Sequence, residues 1–133
     1  MVDIYIVEDD ENLQELYTLF LTKMGHRIVG QSFNGEEALI DLYFNFSNNR
    51  PDILILDYHM PIKNGLELLE DLTKLEWINK TKILFISATN PAEINSYQIP
   101  ITKHVSKPFK FGSLSQLINE AMNQDQMEIN QQA

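Results

Sequence analysis

Ile53-Leu54-Ile55-Leu56-Asp57-Tyr58-His59-Met60-Pro61-Ile62-Lys63-Asn64-Gly65 is the stretch that decides the fold. Its first four side chains are all branched and apolar, so neither side of an extended chain is left for water. Strands of this kind are covered on both faces, as in parallel sheets. The first polar side chain, Asp57, closes the strand at its C-terminal end, where open α/β sheets build their ligand sites. Asn64-Gly65 then marks a break that opens a helix.

The same pattern repeats on either side. Ile4-Tyr5-Ile6-Val7, within a strand at 3–7, ends in Glu8 and Asp9. Ile83-Leu84-Phe85-Ile86, within a strand at 82–86, ends in Ser87, and a strand at 101–105 is followed by Lys107 and Pro108. A further strand is read at 27–32. Between them lie helical stripes with apolar residues three and four apart. In the helix at 11–24 these are Leu13, Leu16, Tyr17, Phe20, Leu21 and Met24, with Gly25 as its stop. In the helix at 36–46 they are Ala38, Leu39, Leu42, Tyr43 and Phe46, and Ser47 to Pro51 is a loop. Leu66, Leu69 and Leu72 mark a third helix, with Trp77 and Ile78 closing its end against the core. A short fourth helix at 91–98 follows Asn90-Pro91, and a fifth at 112–123 carries Leu114, Leu117, Ile118 and Ala121. Five strand–helix pairs predict an α/β, flavodoxin-like, doubly wound five-stranded parallel sheet of order 2-1-3-4-5, with helices on both faces. Its switch point between strands 1 and 3 brings Glu8, Asp9 and Asp57 together. One domain is expected over 1–123, with a polar, frayed tail over 124–133.

Composition narrows the function classes. The chain has 133 residues and no cysteine, which excludes disulfide and thiolate chemistry. No apolar stretch approaches the ~20 residues that span a bilayer. The start, Met-Val-Asp, leads straight into a strand rather than a leader peptide, so a cytoplasmic protein is expected. Nineteen acids against 10 bases give a net charge of -9, which repels phosphate backbones and disfavours nucleic-acid binding.

Three carboxylates at neighbouring strand ends repel one another unless something neutralises them. A hard divalent cation does so, and magnesium takes oxygen ligands. Asp9 and Asp57 are the direct ligands expected, with the backbone carbonyl of His59 as a third oxygen and Glu8 orienting bound water. With Mg2+ in place, the Asp57 carboxylate is a nucleophile toward phosphorus. The Lys107 ammonium offsets charge on the phosphoryl oxygens, and Ser87 donates a hydrogen bond to one of them. The product is an aspartyl-phosphate.

Four pieces, each at a strand end and in this order, carry a resemblance: Val7-Glu8-Asp9-Asp10, Asp57-x-x-Met60-Pro61-x-x-x-Gly65, Ile86-Ser87-Ala88 and Ser106-Lys107-Pro108-Phe109. Over 3–123 the chain resembles the receiver domain of two-component response regulators, of the stand-alone, chemotaxis-regulator type. The resemblance implies that Asp57 accepts phosphate from a phosphohistidine of a sensor histidine kinase or histidine phosphotransfer protein. It implies a magnesium pocket of Glu8, Asp9 and Asp57, with Ser87 as the switch hydroxyl, Lys107 as the family's lysine, and a cis Lys107-Pro108 bond. The signal then leaves through the surface of helix 4, strand 5 and helix 5 toward an unnamed downstream protein. Such a domain is a signalling protein rather than an enzyme.

The sequence departs from the family pattern in three places. His104 stands where strand 5 usually has an aromatic switch residue, which makes a pH-sensitive output step an expectation. Tyr97 to Lys103 replaces the usual glycine-containing turn, so helix 4 is expected to be short. His59 and Thr89 occupy positions that, by family analogy, tune hydrolysis of the acyl phosphate. Blander readings exist for single residues. Glu8 to Asp10 could be an acidic helix cap, Ser87 a turn hydroxyl, Lys107 a surface lysine, and His59 a rim residue. His26 is read as a loop or strand-edge residue. Two other functional readings remain: a receiver cut from a longer regulator or hybrid kinase, and an aspartyl-nucleophile phosphatase. The second usually needs another aspartate two residues after the nucleophile, where this chain has His59. A flavin-binding protein of the same fold would need Ser-, Thr- and Gly-rich phosphate turns where the loop after strand 1 is acidic.

Overall fold

The computed structural model describes residues 1–88 and 101–132, with side chains through 123. The strands are β1 (Asp3–Val7), β2 (Arg27–Ser32), β3 (Ile53–Asp57), β4 (Lys82–Ser87) and β5 (Lys103–Ser106). The helices are α1 (Glu11–Lys23), α2 (Gly35–Asn45), α3 (Gly65–Leu72) and a closing α4 (Phe111–Gln132), with a 3-10 turn at Ile78–Lys80. All strand pairs are parallel and the order is β2-β1-β3-β4-β5, as the alternation of elements predicts. The expected helix at 91–98, its Tyr97 to Pro100 exit and Thr89 lie outside the described residues. β5 begins at Lys103 rather than 101, because Thr102 is occupied beside β4: its amide donates to the Ile83 carbonyl (2.9 Å) and its hydroxyl accepts from the Ile83 amide (2.9 Å). The closing helix runs past 123, where Gln, Met and Glu favour helix.

Residues alternate across the sheet, so two cores form. Tyr5, Val7, Leu54, Leu56, Ile83 and Phe85 pack under α2 and α3. Ile4, Ile6, Ile53, Ile55, Leu84 and Ile86 pack under α1 and α4. β3 is buried at every residue, which is why its sequence carries no polar alternation. Trp77 and Ile78 are buried against the first core, as expected.

Two helical stripes differ from their predicted faces. In α1 the buried residues are Gln14, Tyr17 and Leu21, while Leu16 and Met24 are exposed. In α2 Tyr43 is exposed. In both helices the apolar residues cover more than one face, so spacing alone does not say which face the sheet takes.

Ile62 holds a left-handed φ of 69° and is 80% exposed. A β-branched side chain is strained there and gains no burial in return. Ile62→Gly is expected to stabilise the fold by about 1 kcal/mol, net of the glycine's extra unfolded-state entropy, read as a higher urea midpoint at unchanged slope.

Candidate functional site

Strand register builds the site. Val7 pairs with Leu56, so the residues that follow them, Glu8 and Asp57, emerge side by side from the adjacent inner strands β1 and β3. Asp57 pairs with Ile86, which puts Ser87 one step further along β4. Ser87 pairs with Ser106, and Lys107 follows. The Lys107 amide donates to the Ser87 carbonyl at 3.0 Å, and the Lys107-Pro108 bond is cis, as the resemblance implies.

Local capping sorts the acids. Asp10 caps α1, accepting from the amides of Asn12 (2.9 Å) and Leu13 (3.2 Å). The cap reading thus holds for Asp10 and leaves Glu8 and Asp9 for the cluster. Asn64 and Glu67 form a reciprocal capping box that opens α3. The loop between Asp57 and α3 is tight: the Gly65 amide donates to the Tyr58 carbonyl at 2.8 Å. It is also tied to α2, because the Lys63 carbonyl accepts from the Gly35 amide (3.0 Å) and the Lys63 ammonium pairs with Asp71 and, at 3.9 Å, Glu36.

At Gly65 a Cβ would stand 2.3 Å from the Asp57 carbonyl oxygen. Nothing there is a flexible side-chain end, so backbone must move. Gly65→Ala is expected to cost about 2–3 kcal/mol, as overpacking does, and to displace the Asp57 strand end. Chemical denaturation checks the first effect, and amide chemical shifts of residues 56–58 check the second.

Glu8, Asp9 and Asp57 each bring a carboxylate oxygen to within 4.8 Å of the others. Glu8 and Asp57 are buried, Asp9 faces solvent, and Ser87 is buried at its strand end. The Lys107 ammonium lies 2.9 Å from Asp57 Oδ1. Burial, then the charge of Asp57, pushes the Glu8 pKa up to about 8. Burial also raises Asp57, opposed by the hydrogen bond and charge of Lys107. Burial alone would lower the Lys107 pKa, but the hydrogen bond to Asp57 and the surrounding acids outweigh it and raise it.

This cluster fits a divalent cation. Ionised together, three carboxylates against one ammonium would leave two negative charges uncompensated, which a divalent cation balances. Glu8 Oε2 is buried with no hydrogen-bond partner among the described residues. All side-chain donors at the cluster are hard oxygens, which suits magnesium.

The other predicted residues are placed differently. His59 is exposed on the rim, its ring against Tyr58 at 4.7 Å. His104 lies half-buried on β5, edge-on to Phe85 at 6.1 Å, and burial lowers its pKa. His26 sits at the edge of β2, where its Nδ1 accepts from the Val2 amide at 3.4 Å.

One supporting residue escaped the sequence reading. Gln14 is buried, and its Nε2 donates to the carbonyls of Ser32 (2.9 Å), Glu8 (3.2 Å) and Ile6 (3.4 Å). It ties the ends of β1 and β2 together below the acids. Its signal was a polar residue three and seven positions before Tyr17 and Leu21, on the face α1 buries.

Comparison with known proteins agrees with this geometry. The family model described as "Response regulator receiver domain" matches residues 4–119. The transcriptional regulatory protein CrdR of Helicobacter pylori is 32% identical over 128 residues, 95% of this chain and 57% of that protein. The chain spans between about half and three-fifths of the length of the first curated relatives it matches. Protein CcdB of Bacillus subtilis is 26% identical over 124 residues, 92% of this chain and 98% of that protein. Among solved structures, the receiver domain of the sensor histidine kinase PA1611 of Pseudomonas aeruginosa, with a magnesium ion coordinated in its active site cleft, superposes with a TM-score of 0.77 at 20% identity, over 92% of this chain and 98% of that one.

Proposed function

This chain belongs to the response regulator receiver domain family, and from that premise we propose that Asp57 is its phosphoacceptor. The observation that carries the reading is the convergence of Glu8, Asp9 and Asp57 with the Lys107 ammonium 2.9 Å from Asp57. An Asp57 carboxylate oxygen attacks the phosphorus of a phosphohistidine on a histidine kinase or phosphotransfer protein. The P–O bond forms as the P–N bond breaks, and the electron pair leaves with the imidazole nitrogen, which takes a proton. Lys107 compensates the charge gathered on the phosphoryl oxygens, and Ser87 offers them a hydroxyl.

Asp9 and Asp57 would hold Mg2+, with the His59 carbonyl completing the protein's share and Glu8 orienting water. When bound, the ion supplies positive charge to the phosphoryl oxygens. The magnesium in the cleft of the Pseudomonas aeruginosa receiver supports this assignment. Phosphorylation brings nearly two negative charges and three acceptors to the end of β4. Ser87 is drawn toward them, and His104 on β5, packed on Phe85, is the side chain that answers.

The domain is proposed to act through protein contact as a single-domain regulator or relay intermediate in the cytoplasm. The near-complete coverage of Protein CcdB supports that reading, and the longer relatives support a receiver joined to an output domain. Among the described residues, no helix is long and apolar enough to cross a membrane.

The test is incubation with a small-molecule phosphodonor and Mg2+, followed by intact-mass measurement and peptide mapping. A single phosphoryl group mapped to Asp57 is the expected result. No mass gain, or a label on another residue, would overturn the assignment.

A further inference from the structure

Apart from Asp57 Oδ1, which faces the Lys107 ammonium, three buried polar atoms near the acid cluster lack partners among the described residues, Glu8 Oε2, Gln14 Oε1 and the Tyr17 hydroxyl, and only the hydroxyl is a donor. Glu8 Oε2 accepts nothing, and the Tyr17 hydroxyl donates to nothing, among the described residues. Tyr17 is fully buried. It follows Gln14 by one turn on the same face of α1, and Gln14 already reaches the Glu8 carbonyl at 3.2 Å. The face that carries Tyr17 therefore looks onto the end of β1.

The Tyr17 ring also meets the segment that carries the lysine. Tyr17 stacks on Phe109 with centroids 6.1 Å apart and meets Phe111 edge-on at 5.6 Å. Phe109 follows Lys107-Pro108 directly, and Phe111 comes two residues later. Burial, then the charges of Glu8 and Asp57, raises the Tyr17 pKa, so the hydroxyl keeps its proton.

A buried carboxylate oxygen and a buried hydroxyl each cost free energy while unpaired. One bridging water relieves both. We propose that Tyr17 is a positioning residue for the acid pocket, its hydroxyl donating through one bridging water to Glu8 Oε2 and so fixing that carboxylate beside Asp57. The bridge also links the pocket to the Lys107–Phe111 segment through the aromatic stack. This inference rests on the proposed magnesium site.

Fixing Glu8 keeps its oxygens organised for the cation before it arrives, which is what preorganisation contributes to affinity. The test is a double-mutant cycle read by calorimetric Mg2+ binding without phosphodonor. It uses the whole chain and the variants Tyr17→Phe, Glu8→Gln and the pair. Tyr17→Phe keeps the ring and its stacking and removes one oxygen. Mg2+ binding leaves Glu8 ionised, so loss of a hydrogen bond to that charged group should weaken binding about tenfold. In the Glu8→Gln background, which removes the charged acceptor, the same change should alter affinity less than about twofold.

A second readout needs no variant. In 13C-tyrosine-labelled protein the Tyr17 hydroxyl proton should be visible and slow to exchange. Three results would overturn the inference while leaving the site intact: wild-type affinity in Tyr17→Phe, a tenfold loss that persists with Glu8→Gln, or a fast-exchanging hydroxyl. If the wild-type chain binds no Mg2+ at all, the magnesium site itself falls and the inference falls with it.

Discussion

Asp57→Asn should reduce phosphoryl incorporation from a small phosphodonor to background, a loss of at least about a thousandfold in rate. The reasoning follows from the chemistry of one atom. The attacking species is an anionic oxygen, and the carboxamide that replaces it is neutral and a poor nucleophile. The substitution keeps the shape of a buried side chain, so packing against β4 and the Gly65 turn is preserved. It removes the partner 2.9 Å from Lys107 and takes one charge from the cluster, so Mg2+ affinity should fall as well. Intact-mass spectrometry after a fixed incubation gives the result directly. A variant that still gains one phosphoryl group at the wild-type rate would show that another residue is the acceptor.

The second large effect concerns stability. Burial and the neighbouring Asp57 raise the Glu8 pKa from 4.5 to about 8. The folded state therefore holds a proton there that the unfolded chain releases. Without divalent cation, the contribution of this group is most favourable below the unfolded value of 4.5 and is lost as pH rises to about 8. The loss over that window is on the order of 4 kcal/mol. Asp57, also raised, adds to the same slope. His26 and His104 act in the opposite sense, because burial lowers their pKa and their contribution is lost as pH falls. Comparison with Glu8→Gln removes them from the account.

Urea denaturation in EDTA from pH 5 to 8 should thus show falling stability in the wild type and a flatter profile in Glu8→Gln. Mg2+ at about a hundred times its dissociation constant should restore about 2.7 kcal/mol at the alkaline end. Stability that rises with pH in EDTA would contradict the packing of these acids.

Most of this fold was legible because the buried strands leave no ambiguity. Four apolar residues before Asp57, and four before Glu8, read as strands covered on both sides, and their order followed from the strand–helix alternation. The acids, Ser87 and Lys107 were legible because each ends a strand. Helix faces were less so: Leu16 and Tyr43 fit a stripe by spacing yet face solvent. Helical spacing fixes which residues share a face, and only the sheet decides which face is covered. Gln14 and the Tyr17 hydroxyl were passed over because a polar atom on a buried face is recognised by its partners, and these lie on β1 and β2 or go unpaired.

The strand order divides the site mechanically. Glu8 and Asp57 leave strands that are each bonded on both sides, whereas Lys107 leaves β5, which is short and, among the described residues, paired only with β4. Opening the outermost ladder breaks one set of bonds, while moving either inner strand breaks two. Opening the β4–β5 ladder therefore loosens the lysine's strand and leaves the acids set, and the sheet can yield at that rim without surrendering the oxygens at its centre.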